Sequence, residues 1–322
     1  MAASVLNARH FQCEDAAFAY VESRLWPNGP VCHHCGNADP ERMRRMAGKT
    51  TRKGLIKCYE CGKPFTVRMG TIFESSHLPL HLWLQIIHLM CASKKGIATR
   101  QIQRMLSCSM KTAWFLSHRI REAMKGGALE PMGGPGKIVE VDETVIGKIE
   151  GAPKGKIVGG RSGFRNVVFS LVERGGSARS FHVDGVTMAT LLPIIRANVD
   201  PRSTIMTDEM ASYQHLGKEF ARHASVNHAQ EEYVRYTNAL MFPSGKPYTV
   251  HTNTIEGYFG VFKRGMKGVY QQCAEKHLHR YLAEFEFRYS NREKLGIDDV
   301  ARADLALLGF VGKRLTYQTT AN

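Results

Sequence analysis

Two Cys-x-x-Cys pairs, Cys32-His33-His34-Cys35-Gly36 and Cys58-Tyr59-Glu60-Cys61-Gly62, constrain this chain more than any other feature. Each spans a tight turn closed by glycine, and 22 residues separate them. Two such turns can present four thiolates tetrahedrally, the geometry in which structural zinc is held at about 2.3 Å. Disulfides are the competing reading, and a reducing cytoplasm disfavours them. The first ten residues lack the apolar core of a signal peptide, and no run approaches the roughly 18–20 apolar residues of a membrane span. The expectation is therefore a cytoplasmic protein with a zinc-bearing segment, residues 1–78, that includes a short helix over Glu14–Leu25. His33 and His34 lie inside the first turn as bystanders, since four cysteines already complete a site. Cys13, Cys91, Cys108 and Cys273 have no partner spacing and read as small buried apolar groups.

Charge says what this segment meets. The 322 residues carry 44 Lys and Arg against 29 Asp and Glu, a net +15. At 43% hydrophobic and 23% charged residues the chain is globular rather than disordered. Between Arg45 and Lys125 there are fifteen basic residues and three acids, Glu60, Glu74 and Glu122, so one quarter of the chain holds +12 of the excess. Such a block marks a polyanion, most often nucleic acid. Residues 79–125 within it have the cadence of a helix-turn-helix. Arg100–Leu106 and Lys111–Met124 are the helices and Ser107-Cys108-Ser109 the turn, with Ser109 as N-cap and Ala113, Leu116, Ile120 and Met124 as an inner stripe. Arg100, Arg104, Lys111, Arg119 and Arg121 remain for phosphates or base edges of double-stranded DNA.

The Gly- and Pro-rich residues 126–136 read as a linker. Beyond them, short β-branched runs at 137–143, 166–172, 178–183 and 204–209 interleave with a helical pattern at 188–199. Longer helices at 253–267 and 276–292 follow, which predicts an α/β domain over 137–295 and leaves 296–322 as a tail. Val139-Glu140-Val141-Asp142-Glu143 sets acids at the end of an apolar strand, and Ile205-Met206-Thr207-Asp208-Glu209 repeats the arrangement 66 residues later. A carboxylate on a buried strand is costly without a counter-charge, so two strand-borne aspartates point to a shared cation. On the helix 253–267, Ile255, Tyr258, Phe259, Phe262 and Met266 form the core face. Asn253, Glu256, Gly260 and Lys263 form an adjoining stripe, with Glu256 as the third ligand and Lys263 placed to touch a phosphate. His228 reads more readily as a surface or packed histidine than as a member of this site.

The two cysteine pairs, Val139-Glu140-Val141-Asp142-Glu143-Thr144, Thr207-Asp208-Glu209, Thr252-Asn253-Thr254-Ile255-Glu256-Gly257 and Lys263-Arg264-Gly265 together resemble the bacterial transposases of the 1595 insertion-sequence group. The resemblance runs from about Phe11 to Arg292. It implies a zinc ribbon and helix-turn-helix followed by an RNase H-like domain with a three-acid DDE catalytic centre. Asp142, Asp208 and Glu256 match the acids, and Lys263 matches the lysine after the third. The third position varies in this group among Glu, Asn and His, which makes Asn253 and His251 reserves and Glu284 a distant one.

The implied function is a DNA transposase. It binds the ends of an insertion sequence, cleaves them by metal-dependent hydrolysis and joins the 3′-hydroxyl ends to target DNA. The implied cofactors are two Mg²⁺ or Mn²⁺ ions at Asp142, Asp208 and Glu256, and a structural Zn²⁺ at Cys32, Cys35, Cys58 and Cys61. Double-stranded DNA is the partner, and a homodimer or higher oligomer is expected on it, in a bacterial nucleoid. The rival functions are a DNA-binding regulator with a repurposed catalytic domain and a nuclease of the same fold that joins no strands.

Overall fold

The turns that carry the cysteines close a small antiparallel sheet of three strands, β1 (Met43–Arg45), β2 (Ile56–Cys58) and β3 (Pro64–Phe65), in that order. This is seen in a computed structural model that describes residues 4–127, 130–150, 165–210, 213, 216–227, 230–241, 247–313 and 315. The chain divides into one unit of residues 1–125 with 297–322 and a second of residues 126–296. Among the described residues no helix is long and apolar enough to cross a membrane.

In the first unit, α1 (Arg9–Gln12) and α2 (Glu14–Leu25) precede the sheet, and α3 (Leu80–Ala92), α4 (Thr99–Leu106) and α5 (Met110–Met124) follow it. Helix α3 starts after Pro79, which supplies no side-chain cap. Glu14 supplies it from α2, accepting hydrogen bonds from the backbone N–H groups of Leu80 and His81 at 2.9 and 3.1 Å. The α4–α5 turn is tight because Ser107 adopts a left-handed conformation, and the Ser109 hydroxyl accepts from Thr112 N at 3.1 Å as an N-cap should. Ala113, Leu116, Ile120 and Met124 are all buried, as the inner stripe requires.

The second unit is built on a five-stranded sheet. Its strands are β4 (Ile138–Ile146), β5 (Asn166–Glu173), β6 (Ala178–Val183), β7 (Thr204–Thr207) and β8 (Arg222–Ser225), in the order β6-β5-β4-β7-β8. Antiparallel pairing joins β6, β5 and β4, while β4, β7 and β8 run parallel. α6 (Met188–Asn198) connects β6 to β7, and Leu191 and Ile195 pack with Val139, Val141, Phe169 and Ile205 on one face. A hairpin, β9 (Arg235–Met241) and β10 (Pro247–Val250), leads into α7 (Asn253–Gly265), and α8 (Leu278–Ser290) follows. Ile255, Tyr258, Phe259, Phe262 and Met266 pack with Val168 and Val172 on the other face, together with Leu282 and Phe285 of α8. Helix α8 also covers the free edge of β6: Ala178 N donates to Ser290 Oγ at 3.1 Å and Ser180 N to Glu286 Oε1 at 2.5 Å.

Two expectations change. The stretch read as a linker is bonded into the second unit: Met132 N donates to Asn198 O at 2.8 Å, and Gly133 N to Glu173 Oε2 at 3.1 Å. Gly133 is required there, since its φ is +90° and a Cβ would lie 2.1 Å from Ser203 Oγ. The segment read as a tail contains α9 (Asp299–Leu308), which belongs to the first unit. Tyr20 Oη donates to Asp304 Oδ1 at 2.5 Å, and Arg302 Nη1 donates to Cys91 O at 2.9 Å. Fully buried Phe310 meets Phe73 edge-on at 5.1 Å. Phe310→Ala is therefore expected to destabilise the first unit by about 3–5 kcal/mol. Urea unfolding of the full chain measures this, and a loss below roughly 1 kcal/mol would return residues 297–313 to the status of a tail.

Candidate active site and zinc centre

Backbone geometry brings the four cysteines together. Gly36 and Gly62 take positive φ at +74° and +72°, closing each turn. Cys32 Sγ lies 3.7 Å from Cys61 Sγ, and Cys35 Sγ lies 3.7 Å from Cys58 Sγ. All four sulfurs are within 4.8 Å of one another. A tetrahedron with 2.3 Å bonds has edges of about 3.8 Å, so the donor set fits zinc, whereas a disulfide needs about 2.05 Å. The Cys61 N–H, with that of Glu60, draws the Cys58 thiol down to about 6, toward the thiolate a metal takes. His34 instead sits 3.2 Å from Pro64 O, and the His33 ring packs on Gly70 where a side chain would collide with it. Of the remaining four cysteines only Cys91 is buried.

The strands that carry the acids run side by side. Parallel pairing sets Ile138 opposite Thr204, Val139 opposite Ile205 and Glu140 opposite Met206. The constant offset is 66 residues, the same interval that separates Asp142 from Asp208 just beyond the paired stretch, and the charge of Asp208 is felt at Asp142. Ile138 and Ile146 face away from the α6 side, and Asp142 shares their parity and so faces α7. Burial, then the charges of Glu143 and Asp208, and more weakly Glu256, push the Asp142 carboxyl up to about 8. Asp208 Oδ1 accepts from Met210 N at 3.1 Å, and Glu256 Oε1 accepts from Thr252 Oγ1 at 3.2 Å in the first turn of α7. Such mutual repulsion among carboxylates suits a divalent cation, whose charge removes it. Lys263 lies part-buried in the last turn of the same helix.

The reserves sit differently. His251 turns Nδ1 toward Glu140 Oε1 at 3.2 Å, and Asn253 is exposed. Glu284 is fully buried and paired with Arg288 and Tyr270, so it is a core residue of α8. His228 lies outside the described residues. Two residues that sequence reasoning passed over belong here. Glu143 accepts a hydrogen bond from Tyr213 Oη at 2.6 Å, and Tyr213 is 1% exposed. Burial and Glu143 hold the Tyr213 phenol far above its ordinary range. The signal for Glu143 was its place beside Asp142; Tyr213 stands in no motif.

Among the basic side chains expected on DNA, Arg100, Arg104 and Lys111 are exposed. Arg119 and Arg121 are not: they are 5% and 0% exposed, and the expectation for them is corrected. Arg121 Nη1 donates to Ser117 Oγ at 3.0 Å, and Arg119 Nε donates to Leu315 O at 3.2 Å while its guanidinium lies over the Phe115 ring. Both fall on the inner side of α5, where amphipathic counting had assigned them outward. Lys111 and Arg119 line a cavity of about 460 Å³ with Trp83, Phe115 and Leu116.

Comparison with known proteins gives matches in both units. A model of the transposase zinc-ribbon domain matches residues 9–64, and a model of the ISXO2-like transposase domain matches residues 133–290. An uncharacterized protein in the transposable element ISH50 of Halobacterium salinarum is 26% identical over 301 residues, 88% of this chain and 93% of the relative. An uncharacterized transposase-like protein of Haemophilus influenzae is 32% identical over 111 residues, 34% of this chain and 79% of the relative. The solved Mos1 strand transfer complex aligns over 70% of this chain and 74% of its own, at 12% identity and a TM-score of 0.27.

Two measurements follow from the two centres. Purified protein is expected to carry one zinc per chain by elemental analysis, and Cys58→Ser to lose it; a variant that keeps full zinc contradicts the assignment. For Asp142, the ordinary carboxyl value of 3.8 is raised to about 8 in the fold. The native state then holds a proton that the unfolded chain releases, so stability without Mg²⁺ falls as pH rises from about 4 to about 8. Asp142→Asn is expected to be more stable than the parent at pH 8 in Mg²⁺-free buffer, by about 1 kcal/mol or more. The gap should close toward pH 4, and denaturant titration at the two pH values reads it.

Proposed function

Because the chain belongs to the ISXO2-like, zinc-ribbon transposases of the 1595 insertion-sequence group, we propose that it cuts and joins DNA at the Asp142–Asp208–Glu256 centre. The observation that supports this is the charge coupling of Asp142 to Asp208 and Glu256, with Asp142 on the strand that pairs in parallel with β7 and packs under α7. Asp142, Asp208 and Glu256 would hold two Mg²⁺ or Mn²⁺ ions, which when bound supply an activated nucleophile and charge neutralisation at the leaving oxygen. Asp142, whose carboxyl feels the charges of both other acids, would be the central residue of that ligand set. Lys263 holds a phosphate beside the scissile bond. Glu256 is taken as the third ligand because its charge reaches Asp142, while His251 turns toward Glu140; Asn253 stays a reserve.

The chemistry is two phosphoryl transfers. Water attacks phosphorus at the element's end, forming a new P–O bond as the bond to the 3′-oxygen breaks and a 3′-hydroxyl is freed. That hydroxyl then attacks a target phosphodiester, and a target 3′-hydroxyl leaves. The zinc ribbon keeps the first unit folded, and Arg100, Arg104 and Lys111 of the α4–α5 pair contact the phosphates of the double-stranded ends. Two ends must be joined in one event, so the working form is a dimer or larger assembly on DNA.

Asp142→Ala is expected to lower end cleavage in Mg²⁺ by at least about 10³-fold, with retention of the ends in a gel-shift assay unchanged. Oligonucleotides bearing the inverted repeats that flank the coding region are the substrate. Full cleavage by the variant overturns the assignment. Cleavage without joining by the parent protein, in a strand-transfer assay, would reduce the reading to a nuclease.

A further inference from the structure

A buried ion pair that the reaction itself does not use lies behind the three acids. Arg174 follows β5 in a turn, with its backbone N–H on Ile138 O at 3.0 Å, and its side chain is 18% exposed. Each of its nitrogens has a different target. Nε donates to Glu140 Oε1 at 2.5 Å, and Nη1 donates to Thr249 O at 2.7 Å. Nη2 lies 2.7 Å from His251 O and 2.9 Å from Met206 Sδ. Glu140 is 0% exposed, and its second oxygen accepts from Ile255 N at 2.9 Å. Helix α7 has no side-chain cap of its own at Thr252, so this carboxylate from β4 caps it.

The contacts fall on the elements that carry the acids or on the segment leading into them. Glu140 is two residues before Asp142 on β4, and Met206 is two residues before Asp208 on β7, paired with Glu140 in the ladder. Ile255 precedes Glu256 on α7, while Thr249 and His251 lead into that helix. One guanidinium–carboxylate pair therefore bonds the three elements that bear the acids. A buried ion pair stabilises little compared with well-packed apolar residues; what it fixes is geometry. Lysine could keep the charge at position 174 but not the planar fork that reaches three elements at once.

We propose that Arg174 and Glu140 are positioning residues that fix the segments of β4, β7 and α7 on which Asp142, Asp208 and Glu256 stand, and so set how those acids take up a cation. The proposal rests on the reading of those acids as the cation site. Its test is Mn²⁺ titration of the full-length, zinc-loaded, DNA-free protein by electron paramagnetic resonance, alongside the end-cleavage and gel-shift assays. Arg174→Lys is expected to bind Mn²⁺ at least tenfold more weakly and to cleave at least a hundredfold more slowly, with end binding unchanged. Guanidinium ion at millimolar concentration should restore part of the Mn²⁺ affinity of Arg174→Ala, a rescue that a merely structural loss would not show. Glu140→Gln, isosteric and uncharged, gives the same readout if the arginine variants fail to fold. A folded variant at either position with parental Mn²⁺ affinity overturns the proposal. Weakened Mn²⁺ binding in a protein whose parent form never cleaves DNA would keep the positioning network and sink the transposase reading instead.

Discussion

The second unit depends on how a fully buried carboxylate is satisfied. An ionised Glu140 without partners would not be tolerated inside a sheet-to-helix interface. Its partners are the Arg174 guanidinium after β5 and, at the start of α7, the His251 ring and the Ile255 N–H. Satisfying this one group therefore fixes where β4, the turn after β5 and the start of α7 lie. The first unit uses the same device, since Glu14 of α2 closes the start of α3 behind Pro79. In both units a helix that cannot cap itself is started by a carboxylate from elsewhere, which ties its position to its stability.

The neighbouring acids follow the opposite rule. Asp142 is crowded by Glu143, Asp208 and, more weakly, Glu256, against which only the Glu143 backbone N–H, donating at 2.7 Å, is among the main influences on it. Tyr213 relieves part of this by donating to Glu143, but a neutral phenol cannot cancel charge. The fold thus gives up stability at Asp142 and gains order at Glu140, two residues away on the same strand. Such paired treatment of adjacent carboxylates, one compensated and one left repelling, is what separates a scaffold acid from a ligand acid when both sit on the same strand.

Much of this was legible from spacing. The 66-residue interval between the two Asp motifs is the ladder offset itself, because parallel strands in register conserve sequence distance along their length. The α7 core face was legible for the same reason, helical period against a flat sheet. Tertiary capping was not legible: nothing local distinguishes Glu140, which anchors a helix, from Asp142, which faces the other acids. The helix α9 escaped because it returns to the first unit across the whole second unit, a long-range pairing that no local pattern encodes. Arg119 and Arg121 escaped because an arginine can turn inward where carbonyls, hydroxyls and ring faces receive it, and residue type alone does not report that.

That last point reshapes the meaning of the basic block. Of its fifteen cations, Arg45 and Lys53 pair with Glu22 and Asp15, Lys125 pairs with Glu122, and Arg68 donates to the carbonyls of Ser76 and Leu78. With Arg119 and Arg121 buried as well, a good part of the excess serves the fold. Solvent meets Lys49, Arg52 and Lys63 on the zinc ribbon, and Lys94, Lys95, Arg100, Arg104 and Lys111 around the helix-turn-helix. Counterion release scales with the phosphates neutralised, not with formal charge, so under the proposed function the salt dependence of DNA binding would follow the solvent-exposed cations rather than +12.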